Sequence, residues 1–107
     1  MATEKHVQKI AREYVSRLAR NITVKQAILT GSWARGSHLE DSDVDLIVVS
    51  DDFERMALPE RLVYLQKSWT SGLPLEAFGY TTSEFRKLRR NSSYVKDAVQ
   101  HGIPLGP

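Results

Sequence analysis

The amino-acid sequence predicts a small α/β protein of the α+β kind, with one mixed β-sheet and helices packed against it. Three observations carry this. Apolar segments with helical and with strand periodicity alternate along the chain. An apolar strand, Val24 to Thr30, stops abruptly at Gly31-Ser32, and Asp43-Val44-Asp45 leads into a second apolar run, Leu46-Ile47-Val48-Val49.

Taken in order, Val7, Ile10, Ala11, Tyr14, Val15 and Leu18 recur at helical spacing. Thr3 is placed to cap this first helix, and Arg17, Arg20 and Asn21 fall at its C-terminal end. Residues 23–30 read as a strand, 32–37 as a short helix, 38–42 as a connecting loop and 43–50 as a second strand. Pro59 opens a helix through about Trp69, with Leu58, Leu62, Leu65 and Trp69 along one side, and Ser71-Gly72 stops it. Residues 73–80 form a third strand. Thr81 and Glu84 have the separation of a capping box for the next helix. A further helix runs from Ser93 to Gln100 with Gly102 as C-cap, and Ile103-Pro104-Leu105 is an edge strand, where proline is tolerated.

A chain of 107 residues, 41% hydrophobic and 26% charged, accounts for a single domain over residues 1–107 with one modest core. Without cysteine, disulfides and thiolate metal sites are excluded. No apolar run approaches a signal peptide or a membrane span, so a cytoplasmic location is expected. With 15 basic against 13 acidic residues, a net charge of +2 is too balanced to imply direct nucleic-acid binding. Arg86, Lys87, Arg89 and Arg90 cluster on one predicted helix, which a solvated face explains. His6, His38 and His101 are scattered without metal-ligand spacing.

The chemistry concentrates between Gly31 and Asp45. At Gly31-Ser32 the chain leaves a strand and enters a helix, so free N–H groups point outward, and glycine permits close approach by an anion such as a phosphate. Asp43 and Asp45, two apart on a strand, project from one face with Cα atoms roughly 6.5–7 Å apart. Their repulsion costs on the order of 2 kcal/mol at an effective dielectric near 20, and a divalent cation removes it. The competing reading is a polar turn over residues 41–43 with Asp45 as a strand-edge charge. Glu76, alone among apolar neighbours in Leu75-Glu76-Ala77, also needs a partner: a cation on the neighbouring strand, an arginine such as Arg35, or solvent. Arg35 either reaches the same phosphates or lies solvated. Ser42 either bonds a triphosphate or closes the turn before Asp43. Trp33 is expected in the core, with stacking on a nucleobase as the alternative.

The stretch GSWARGSHLEDSDVDL, Gly31 to Leu46, with Gly-Ser, ten residues and Asp-x-Asp, resembles the minimal nucleotidyltransferase (MNT) family of the DNA polymerase β-like nucleotidyltransferase superfamily. The resemblance continues from Leu73 to Leu105. It implies the mixed sheet-and-helix fold and transfer of a nucleoside monophosphate, AMP from ATP, to an acceptor hydroxyl. It further implies one or two Mg²⁺ ions, or Mn²⁺ in their place, held by Asp43, Asp45 and Glu76, with Glu76 as ligand or general base. Gly31, Ser32, Arg35 and Ser42 would contact the triphosphate. Many members carry aspartate where Glu76 stands. Larger relatives add a helical domain for the acceptor, for which this chain has no room. In the MNT family the usual companion is a separate helical HEPN-domain protein, so the resemblance implies a protein acceptor and an antitoxin role within a homo- or hetero-oligomer. A non-catalytic nucleotide-binding or protein-binding antitoxin subunit is the alternative.

Overall fold

In a computed structural model describing residues 3–38 and 42–106, the elements are α1 (Glu4–Leu18), β1 (Gln26–Thr30), α2 (Gly31–Arg35), β2 (Val44–Val49), a 3₁₀ turn (Asp51–Arg55), α3 (Leu58–Lys67), β3 (Leu75–Tyr80), α4 (Thr82–Asn91), α5 (Ser93–His101) and β4 (Ile103–Pro104). The strands form one mixed sheet in the order β3-β2-β1-β4. β1 runs antiparallel to both β2 and β4, and β2 is parallel to β3. The expected α+β sheet with flanking helices is therefore observed.

Alternation along the strands divides the core in two. Leu29, Val44, Leu46, Val48 and Ala77 face a layer built from α1, α3 and Trp33, whereas Ile28, Ile47 and Val49 face Phe85, Val95 and Ala98 of α4 and α5. Tyr14 anchors α1 to α3 by donating its hydroxyl to the Leu65 carbonyl at 2.7 Å, and its ring meets Trp69 edge-on at 5.0 Å. Both caps foreseen from the sequence are present: the Thr3 hydroxyl accepts from His6 N–H, and Thr81 and Glu84 form a reciprocal capping box.

Several boundaries differ for local reasons. β1 begins at Gln26 rather than at residue 23, because the Thr23 N–H is taken by the Asp52 carboxylate at 2.7 Å instead of a strand partner. β3 begins at Leu75 because Pro74 has no N–H for the ladder, although its carbonyl accepts from Val44 at 2.8 Å. α2 stops at Arg35 because Gly36, at φ 77°, turns left-handed. Asp43 lies just before β2, not within it. Residues 39–41 of the expected 38–42 loop lie outside the described residues. Gly102 does cap α5, but in an extended conformation: glycine is needed there for space, since a Cβ would collide with the Ala98 carbonyl and Ile28.

The larger correction concerns α3, which ends at Lys67 and leaves Trp69 beyond it. Leu58 and Leu62, expected on its inner side, are 59% and 43% exposed, and the inner stripe is Arg61 and Leu65. Arg61, only 5% exposed, earns its place by hydrogen bonding: it donates to the carbonyls of Met56 and Gly79, each at 3.0 Å, and to the Glu84 carboxylate. It thus takes up one backbone carbonyl of the edge strand β3 and ties α3 to α4.

Removing Arg61 strands these acceptors, so Arg61→Ala should destabilise the fold by about 3 kcal/mol, lowering Tm by more than about 10 °C in thermal melts. Arg61 hydrogen bonds hold the Glu84 carboxyl below its usual range, so their contribution is present above the ordinary carboxyl pKa and is lost on acidification. The difference between native and variant melting temperatures should accordingly narrow as pH falls below 4.5, the ordinary Glu value.

Candidate active site

The antiparallel register of β1 and β2 pairs Thr30 with Asp45, so the turn that follows β1 lands on the Asp45 side chain. Gly31 makes that turn at φ 73°, and a Cβ there would overlap the Asp45 carboxylate. No other residue fits both the dihedral and the space. Ser32 follows, partly buried at the start of α2. With five residues α2 is too short to carry much of a macrodipole, so anion binding here depends on the local N–H groups and the Ser32 hydroxyl.

On the other side of β2 the parallel register pairs Asp45 with Glu76, and in a parallel pair such partners project from the same face. Asp43 stands exposed at the mouth of the strand, while Asp45 is partly buried. Burial pushes the Asp45 carboxyl from its ordinary 3.8 up to about 6; the charges of Glu76 and Asp43 add to the shift, and Arg35 opposes it. One side chain thus feels all three other charged candidates. Carboxylate oxygens are hard donors, suited to Mg²⁺ or Mn²⁺ rather than to soft metals. Among the described residues no three His, Asp or Glu side chains are already drawn into a metal-holding cluster.

Arg35 does not pair with Glu76. Its guanidinium donates to Asp97 of α5 at 3.1 Å, both side chains about half exposed, which ties α5 to α2 beside the carboxylates. Ser42 offers its carbonyl to the Trp33 indole N–H at 2.9 Å. Trp33 is 1% exposed and stacks on His38 with ring centroids 3.8 Å apart. It is a core residue that fixes the approach to Asp43, and not a free platform for a base. The basic residues of α4 line grooves with Lys25, Asp51 and Ser83, away from all of these groups.

One residue at the site escapes sequence reasoning. Tyr94, at the start of α5, packs edge-on against Phe78 at 5.8 Å, and Phe78 lies two residues beyond Glu76 on the same strand face. Burial, followed by the charges of Asp45 and Glu76, raises the pKa of its hydroxyl and keeps it protonated. The one available signal is an aromatic residue on the second helix after the Glu76 strand; nothing local distinguishes it from a core tyrosine.

Residues 8–103 match the nucleotidyltransferase domain family. Two proteins of Methanocaldococcus jannaschii, each named "Putative protein adenylyltransferase", are similar to the chain. One is 27% identical over 106 residues, spanning 96% of this chain and 97% of that protein. The other is 40% identical over 50 residues, which is 44% of this chain and half of that protein. A crystal structure described as that of a "putative nucleotidyltransferase" from Sulfolobus solfataricus superposes with a TM-score of 0.67 over 94% of this chain and 80% of its own, at 22% identity, and so shares the fold.

Opposite stability effects are expected at the two ends of the Gly31–Asp45 contact. Gly31→Ala forces a left-handed dihedral and a clash, and should cost about 2 kcal/mol or more. Asp45→Asn removes a charge that the fold disfavours and, discounted for solvent contact, should gain about 1 kcal/mol in metal-free buffer at neutral pH. Because a raised carboxyl pKa destabilises the native state as pH climbs from 3.8 to about 6, the variant's advantage should vanish below that window. Melts across pH in the presence of EDTA check both signs.

Proposed function

The chain belongs to the nucleotidyltransferase domain family, and from that premise we propose that it is a Mg²⁺-dependent protein adenylyltransferase, moving AMP from ATP to a hydroxyl on a protein partner. The observation that carries this reading is the convergence at Asp45: a glycine-serine turn on one side and a carboxylate in register on the other. The names of the two similar archaeal proteins support a protein as acceptor. The family resemblance of the Gly31 to Leu46 stretch points more narrowly to a helical HEPN-type partner and an antitoxin role.

In this reading Gly31 and Ser32 hold the β and γ phosphates through backbone N–H groups and a hydroxyl. Arg35, whose guanidinium spends one nitrogen on Asp97, offers its remaining donors to the same phosphates. Asp43 and Asp45 would hold Mg²⁺, with Glu76 as third ligand or as proton acceptor for the attacking hydroxyl. When bound, the cation would neutralise the triphosphate and lower the pKa of the acceptor. Ser42, whose carbonyl is bound by Trp33 and so sets the course of the chain into Asp43, would present its hydroxyl to the triphosphate. Phosphoryl chemistry of this class depends on positioning and charge neutralisation, which these residues supply.

Isothermal calorimetry should show ATP binding with Mg²⁺ or Mn²⁺ and marked weakening in EDTA, and Asp43→Asn and Asp45→Asn should each abolish the metal-dependent part. With α-³²P-ATP and a co-expressed helical partner, label should appear on the partner, disappear with either aspartate variant and fall strongly with Glu76→Gln. Equal affinity with and without metal would sink the carboxylate site. Tight partner binding without label from any nucleotide would replace the enzyme with a non-catalytic antitoxin subunit.

A further inference from the structure

The four tyrosines of the chain differ sharply in what surrounds their hydroxyls. Tyr14 spends its hydroxyl on the Leu65 carbonyl inside the core. The Tyr64 hydroxyl is buried on the α3 side of the sheet, with no hydrogen-bond partner among the described residues. Tyr80 is influenced by Glu84, at the end of β3 remote from Asp45. Tyr94 alone is turned toward the site: it is 38% exposed, its ring stands on Phe78, and Asp45 and Glu76 are the two carboxylates that act on its hydroxyl.

The helix that carries Tyr94 is held in place from two directions. Arg35 grips Asp97, one turn further along α5, at 3.1 Å, and Phe78 supports the Tyr94 ring at 5.8 Å. α5 therefore reaches from the proposed phosphate-binding side of the cleft to the Glu76 strand. A triphosphate seated at Gly31, Ser32 and Arg35 leaves the Asp45–Glu76 end of the cleft for an attacking group, and Tyr94, whose ring packs on Phe78 two residues along the same strand face from Glu76, is the tyrosine of this chain nearest in place to that end.

Resting on the reading of this site as an adenylyl-transfer centre, we propose that Tyr94 is itself an acceptor and that the chain adenylylates itself at this hydroxyl. The Tyr94 oxygen attacks the α-phosphorus of ATP, and the bond from that phosphorus to the bridging oxygen breaks. Pyrophosphate leaves with the bonding electrons, and the phenolic proton passes to the Glu76 carboxylate. The products are a tyrosyl-AMP diester and pyrophosphate, with no further reactant. An acceptor fixed on the same chain needs no binding step, so it has the advantage of an intramolecular nucleophile.

The test is incubation of the purified chain alone with Mg²⁺ and ATP, followed by intact-mass measurement and tandem mass spectrometry, with calorimetric ATP binding in parallel. The proposal predicts one AMP per chain, mapped to Tyr94, at a per-chain rate unchanged by dilution. Asp45→Asn should abolish the adduct. Tyr94→Phe, which keeps the ring on Phe78 and removes the nucleophile, should abolish it too, with the melting temperature checked alongside. ATP binding without any adduct overturns the self-modification alone. An adduct on another residue, persisting in Tyr94→Phe, overturns it as well. Absence of metal-dependent ATP binding overturns both this proposal and the transfer reading beneath it.

Discussion

Gly31 and Asp45 compete for one small volume, and the arrangement of the site follows from how that competition is settled. The β1–β2 register sets Thr30 opposite Asp45, so the turn leaving β1 must pass over a carboxylate. A residue without a side chain, at φ 73°, is the solution. Once that contact exists, the N–H groups of a tight turn and the oxygens of a strand carboxylate are brought side by side by backbone pairing alone. Rigid strands at the centre of a sheet place such groups more accurately than loops can.

The rest of the fold holds this contact in place. Trp33, buried in the first turn of α2, reaches across to the Ser42 carbonyl and so joins the glycine turn to the residue preceding Asp43. Apolar layers on both faces of the sheet bury β2 almost completely, which keeps Asp45 partly out of water and raises its pKa. Arg61 and Gln66 each bond one carbonyl of the edge strand β3, Gly79 and Leu75 respectively, and so steady the strand that carries Glu76. Like charges gathered at one end of a sheet weaken a fold, and proteins of this size are only marginally stable, so the two-sided core and the Arg61 network offset a cost that the site imposes.

The sequence makes the site more legible than its surroundings. Aspartate twice within three residues at the head of an apolar strand, glycine where a strand ends and a glutamate in an apolar run each break a local preference, and such breaks stand out one residue at a time. The inner face of α3 is hidden for the opposite reason. Leu58 and Leu62 obey helical periodicity and yet face outward, because the inner position of the helix is held by Arg61, which bonds two carbonyls and a carboxylate. The Arg35–Asp97 pair spans 62 residues, and the approach of Tyr94 to Asp45 and Glu76 depends on how α5 crosses the sheet. Neither leaves a local pattern. The starts of β1 and β3 shift because single groups, the Asp52 carboxylate and the Pro74 ring, remove one backbone N–H from each ladder.

On the proposed reading, one divalent cation and one triphosphate meet between the glycine turn and the carboxylate strands. Paramagnetic broadening of amide resonances, recorded while Mn²⁺ is titrated into the ¹⁵N-labelled chain with ATP, tests it most directly. Gly31, Ser32, Asp43, Asp45 and Glu76 should broaden first, with Tyr94 close behind, while Arg86 and Arg89 on α4 stay sharp. Broadening that starts on α4, or that spreads evenly over the acidic surface, would contradict it.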